Sequence, residues 1–375
     1  MKNLIFICID GLRKDCITEQ TENLYNFCKS GTTLTNVISC HPLEESYFAS
    51  LITGKHFTQT GTFKNGLRVY PDHDTFIKSL TDNGYSTAFI GKWPLYGSKL
   101  FVPKGRYRMG FDDVFVSFER HKNKTFYCAD TPDKQPVSES DITAQIKMMN
   151  EAVARFTKSG SPYAVFLTIF IPFKKSSDYL SAVKAVDADI VDLLTIKKNT
   201  ITVVTSSLGT ALNGEKPFSN DIVNVPFFIA GDSIPVGETS TLVGTTDIMP
   251  SILSLTNVPS PVGIDGKSRS IFSSVDDGHS VLLVGTERGK EWRGLRNRDF
   301  TYIIDKKHGK EQLFDNIGDP SFENDLSAEK SIDVVRNDMK RNLYKKMLEI
   351  SDTFANNGYY KKYWLSDGKV RPVLK

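Results

Sequence analysis

Histidine and cysteine are scarce in this chain: 375 residues include six histidines and five cysteines. The cysteines (Cys8, Cys16, Cys28, Cys40 and Cys128) are odd in number, scattered, and nowhere spaced as a Cys-x-x-Cys pair. That pattern excludes a disulfide framework and a zinc knuckle, and fits free thiols in a reducing compartment. An excess of one charge is also missing. Lys and Arg number 47 against 44 Asp and Glu, a formal charge of +3, so there is no clear nucleic-acid signature. No apolar run reaches membrane-spanning length. Leu4–Ile9 stops at Asp10 after six residues, and Tyr163–Phe173 is also far too short. The first run is too short for a secretory signal as well, so the expected location is cytoplasmic or otherwise intracellular, with the Asn123-Lys124-Thr125 sequon unused. Neither a repeat nor a low-complexity tract is present. At 39% hydrophobic, 11% aromatic and 24% charged residues, the composition is that of a folded chain with one large domain and a smaller one.

Apolar β-rich runs alternate with helical patterns, which predicts a mostly parallel sheet flanked by helices. Strands are expected at Lys2–Ile9, Thr33–Ile38, Ser86–Ile90, Tyr163–Ile171, Thr200–Thr205 and Val225–Ala230. Helices are expected at Thr18–Lys29, Glu44–Ile52, Asp74–Asp82, Ile142–Thr157, Ser176–Leu194 and Asp247–Leu255. From about Ser280 the texture changes to short strands (Val281–Gly285, Phe300–Asp305, Glu311–Asp315) and a helix over Ser331–Ser351. The expected division is therefore an α/β domain over residues 1–279 and a small antiparallel α+β subdomain over 280–375.

Several segments carry a resemblance. The run from Asn3 to Arg13 places Asp10-Gly11 after an apolar strand. Leu34-Thr35-Asn36, Ala49–Lys55 with its Thr53-Gly54, Gly91-Lys92-Trp93 and Gly110-Phe111-Asp112 follow. Later come Asp247–Leu253, Val258-Pro259, Gly263–Ser268, Glu311–Asp315, Asp319-Pro320 and Asn324-Asp325-Leu326. In this order they resemble the sulfatase family of the alkaline phosphatase superfamily over nearly the whole chain.

The resemblance implies a hydrolase that holds a divalent cation such as calcium or magnesium. It also implies a cysteine-derived or serine nucleophile in a Cys/Ser-x-Pro-x-Arg motif, and basic groups lining the site. The family's Asp-Asp pair is reduced here to Asp10, a remnant metal ligand. Its later Asp-His pair reads Ser207-Leu208, a weak donor followed by a side chain with none. Counting without gaps puts Glu44 at the nucleophile position and Phe48 at the arginine. A shifted reading over Cys40-His41-Pro42-Leu43-Glu44 keeps Cys-x-Pro. Expected histidines are replaced by Pro94, Phe173, Thr58 and Thr60, whereas Lys55, Lys92 and Lys216 persist as a remnant anion-binding lining.

Plainer roles stand beside these. Asp10 is suited to cap a helix or turn, and Glu44 to act as a first-turn acid favoured by the helix dipole. His41 and His56 would serve as hydrogen-bonded histidines, the lysines as solvated side chains, and Trp93 and Tyr359-Tyr360 as packing residues.

The expected function is that of a catalytically inactive sulfatase-like protein without a cofactor. It would have a binding, structural or assembly role, with an unknown protein partner or an anionic ligand. A homo-oligomer or a subunit of a larger, virion-associated assembly fits the same reading. The alternative is a divergent sulfuric or phosphoric ester hydrolase rebuilt around one divalent cation from Asp10, Glu44, His41 or Cys40, and Asp247. Loops 56–72 and 123–137 are where a new role would be placed.

Overall fold

The run Asn-Leu-Ile-Phe-Ile-Cys-Ile-Asp folds as β1 (Asn3–Asp10), and its six central residues are buried on both faces. Only a strand with helices on either side needs that much apolar surface. The computed structural model describes residues 1–95, 103–118, 125–128 and 142–363, apart from Asn65, Arg68, Tyr70, Ser273 and 275–277. The other strands are β2 (Thr32–Leu34), β3 (Val37–Ile38), β4 (Ser86–Gly91), β5 (Asp113–Phe118), β6 (Thr125–Cys128), β7 (Tyr163–Phe170) and β8 (Thr200–Thr205). Then come β9 (Asn224–Val225), β10 (Phe227–Gly231), β11 (Gly237–Thr239), β12 (Val243–Gly244), β13 (Val281–Gly285), β14 (Trp292–Arg296), β15 (Phe300–Asp305) and β16 (Glu311–Asp315).

Nine strands form the central sheet in the order β11-β2-β10-β8-β1-β7-β4-β5-β6. Neighbours are parallel at β11–β2, β8–β1, β1–β7, β7–β4 and β4–β5, and antiparallel on both sides of β10 and at β5–β6. Alternate residues of β1 feed two cores. Leu4, Phe6 and Cys8 face the layer containing helices Glu44–Thr53, Phe76–Asp82 and Thr245–Thr256. Ile5, Ile7 and Ile9 face helices Glu22–Lys29, Ile142–Ser159 and Tyr179–Asp189.

Two expected strands are each divided. Thr33–Ile38 splits at Thr35-Asn36 into β2 of the main sheet and β3 of a separate three-stranded sheet, β12-β3-β9. The run Val225–Ala230 splits at Pro226, which has no N–H to give to a ladder, into β9 and β10. The expected helix Ser176–Leu194 is α-helical only over Tyr179–Asp189, with 3₁₀ turns on either side.

At the C-terminal end, β13–β16 form an antiparallel sheet in sequence order. Its strand β14, Trp-Arg-Gly-Leu-Arg, was not expected because two charged residues hide the apolar pattern. One face packs on Met339, Leu343 and Met347 of helix Asp333–Glu349, together with Phe57 and Phe63 from loop 56–72. The other face meets Ile38, Cys40, Phe218 and Ile222. Apart from β6, loop 123–137 lies outside the described residues. Among the described residues, no helix is long and apolar enough to cross a membrane.

Candidate functional site

The C-terminal ends of parallel strands are where an α/β sheet presents polar groups to a ligand. Asp10 sits at the end of β1, and Gly11 turns the chain with a φ of +82°. An isolated parallel bridge pairs Gly11 with Gly209 and draws the segment after β8 alongside. Glycine is required at 209, because a Cβ there would lie 1.8 Å from the Asp221 carbonyl oxygen. This tie places Ser207 beside Asp10, and the Ser207 hydroxyl donates to the carboxylate.

Helix Glu44–Thr53 supplies the opposite wall. Its first residue, Glu44, forms an ion pair with Lys92, which follows β4. Lys92 is fixed by close apposition of the β4 and β7 ends. Gly91 has a φ of +109°, and a Cβ on it would fall 2.0 Å from the Thr168 carbonyl oxygen. The Thr168 hydroxyl donates to the Lys92 carbonyl at 2.7 Å, and the Lys92 amide donates to the Thr168 carbonyl at 3.3 Å.

Charge links these pairs into one cluster. Burial raises the Asp10 carboxyl above its ordinary range, although the Ser207 hydrogen bond and the Lys92 charge oppose it. Burial also pushes the Glu44 carboxyl up to about 7, aided by the nearby Asp10 charge and resisted by Lys92. For Lys92, burial works against the ammonium, but Glu44 and Asp10 outweigh it and the pKa is raised. Beneath them the Cys8 thiol is driven up by burial, then by Asp10 and Glu44. It therefore stays a thiol.

Of the residues singled out from sequence, the structure brings together Asp10, Glu44, Lys92 and Ser207. Glu44 is also a first-turn acid of its helix. Other candidates have different surroundings. Cys40 is buried, its sulfur accepts from the Thr245 amide at 3.3 Å, and burial pushes its thiol up to about 11. His41 is buried between the Ser46 hydroxyl at 2.9 Å and the Thr286 hydroxyl at 3.2 Å. Burial, then the charge of Arg293, lowers its pKa to about 3. His56 is also buried. The Asp247 carboxylate accepts from the amides of Gly244 and Lys267 and lies 3.0 Å from His279 Nε2, so it anchors the start of helix Thr245–Thr256. Lys216 donates to the Phe322 carbonyl at 2.9 Å and lies over the Phe314 ring. Lys55 follows the helix C-cap Gly54, and its charge bears on His73. Trp93 packs edge-on against Phe89 and Phe111. The direct Glu44–Lys92 pairing was not anticipated. The two residues are 48 positions apart, and no local periodicity links them.

The resemblance implies a divalent cation at this end of the sheet. Such a cation needs several oxygens converging on one point. Here Asp10 accepts from Ser207, Glu44 is taken up by Lys92, and Leu208 has no donor atom. Among the described residues, no group of three or more His, Cys, Asp or Glu side chains is placed to hold a metal.

The sulfatase family model matches residues 2–152. A structure from Bacteroides fragilis described as a sulfatase, yidJ, superposes with a TM-score of 0.82 at 19% identity, covering 94% of this chain and 97% of that one. The chain has a sulfatase-family fold. Over 99% of its length, this sulfatase-fold chain is also 26% identical to an ulvan-active sulfatase of Formosa agariphila, covering 86% of that protein. A phosphonate monoester hydrolase from Silicibacter pomeroyi has the same fold, with a TM-score of 0.72 at 15% identity, covering 94% of this chain and 96% of that one.

Proposed function

We propose that this chain is a sulfatase-fold pseudoenzyme, which does not cleave sulfate or phosphate esters and acts as a binding or structural protein. The observation that carries this reading is the Glu44–Lys92 ion pair, which occupies the position where the resemblance puts the nucleophile. Ester hydrolysis on this scaffold needs a cation to neutralise the ester oxygens and an activated nucleophile. Ser207 and Leu208 supply neither carboxylate nor imidazole to a metal, and Glu44 is tied to a lysine. Among the described residues the cleft is not cationic, since Asp10 and Glu44 face the Lys92 ammonium while Lys216 is engaged elsewhere. A sulfate or phosphate monoester would meet little net attraction there.

One observation favours the second reading, a divergent hydrolase with a rebuilt site. A carboxyl titrating at about 7 beside a second carboxylate is suited to general acid–base work near neutral pH. A panel of aryl sulfate and phosphate monoesters, assayed with calcium, magnesium, manganese and zinc in turn, separates the two. The pseudoenzyme reading expects no turnover and no saturable rise in melting temperature with any ion. Turnover that disappears in an Asp10→Ala or Glu44→Gln variant would overturn it.

A further inference from the structure

Strand β14 carries two buried arginines three positions apart, so they project to opposite faces of the C-terminal sheet. Arg293 is fully neutralised. Its guanidinium meets Asp352, with Nη2 to Oδ1 at 3.0 Å, and it also donates to the hydroxyl of Tyr360 at 3.1 Å. Arg296, only 2% exposed, has no such counterion among the described residues. It donates to the side-chain carbonyls of Asn220 at 2.7 Å and Asn36 at 3.2 Å, and its Nε–H is buried with no partner.

A second cation approaches the same place from the turn after β1. Lys14 Nζ donates to the Thr35 carbonyl at 2.6 Å and to Asn224 Oδ1 at 2.7 Å. Thr35 and Asn36 are adjacent, so the two cations bind neighbouring residues of the segment that leads into β3. Every acceptor they use is neutral. Neutral acceptors satisfy hydrogen bonds but leave two positive charges uncompensated, and a buried charge is retained at low cost only when it is paired. Donors are left over as well. An ammonium has three, of which Lys14 spends two, and the Arg296 Nε–H is unspent. Lys14 is half-buried, which gives solvent a way in.

We infer that Lys14 and Arg296 form a binding site for a small oxyanion of the inorganic phosphate or sulfate class, separate from the Asp10–Glu44–Lys92 cluster. The anion would accept from the third Lys14 hydrogen and from Arg296 Nε–H, both charge-assisted contacts. The electrostatics agree, because burial and then the Arg296 charge lower the Lys14 pKa to about 7, a penalty that a bound anion would relieve.

The test is a titration of the full chain with inorganic phosphate at constant ionic strength, followed by melting temperature and calorimetry, with sulfate and chloride in parallel. Phosphate and sulfate are expected to give a saturable rise and chloride none. Lys14→Gln is expected to weaken phosphate binding at least tenfold, whereas Lys14→Arg and Lys92→Gln bind as the wild type does. The Arg296 Nε–H resonance should move with phosphate in the wild-type protein, a readout that holds even if a Lys14 variant fails to fold. The inference is overturned by no saturable response, by undiminished affinity in Lys14→Gln, by loss of binding in Lys92→Gln instead, or by an Arg296 resonance that stays still.

Discussion

Glu44 should make this protein lose stability as the pH rises toward neutrality, and Glu44→Gln should abolish most of that loss. In the folded chain its carboxyl titrates at about 7, against 4.5 for an unperturbed glutamate. Between those values the folded protein keeps a proton that the unfolded chain has released, so folding stability falls with increasing pH. It is at its full value below pH 4.5, declines up to pH 7 and is level above it. At 1.36 kcal/mol per pH unit, ionising Glu44 in place costs about 3 kcal/mol. The side chain is only 14% exposed, so solvent does little to screen that cost. Glutamine keeps the shape of the protonated acid and cannot ionise. Urea unfolding of both proteins from pH 4.5 to 9 is the assay. The curves should lie close together at the acid end and diverge by about 3 kcal/mol above pH 7, with the variant more stable. Parallel curves across the range would refute the assignment of a perturbed, buried carboxyl to Glu44.

Three further outcomes follow from other parts of the molecule. Asp352→Ala strands the Arg293 guanidinium in the core and should cost about 3–5 kcal/mol in urea unfolding, the range for breaking a buried pair. His41, whose folded pKa is lowered to about 3, binds fewer protons folded than unfolded, so its contribution is present above pH 6.5 and lost as the pH falls toward 3; His41→Gln should flatten that acid limb. Ser207→Asp combined with Leu208→His would place a carboxylate beside Asp10 and an imidazole next to it in the chain, so calcium should raise the melting temperature of the double variant and leave the wild type unmoved.

How much of this was legible beforehand depended on the range of the signal. β1, β8 and helix Ile142–Ser159 are readable because their burial repeats in neighbouring residues, which is what a periodicity records. The division of Thr33–Ile38 between two sheets was invisible, because both halves are apolar and the break is set by which partners they meet. Strand β14 escaped notice for the opposite reason. Its arginines are buried by distant groups, Asp352 on one face and Asn36 and Asn220 on the other, and pattern counts assign arginine to the surface. The site was half readable. Motif order singled out Asp10, Glu44, Lys92 and Ser207 one by one, but their assembly depends on contacts 48 and 197 positions apart in the chain.

The two arginines of β14 also bear on how the chain is made. Synthesis runs from the N-terminus, and domains tend to fold in that order. When β14 leaves the ribosome, Asn36 and Asn220 are already available to Arg296. The counterion of Arg293 lies 59 residues further along the chain. Until Asp352 arrives, docking helix Asp333–Glu349 onto that face would bury a bare guanidinium, so the nascent C-terminal sheet is held open on one side. Synthesis through Asp352 then becomes the event that lets the second core close.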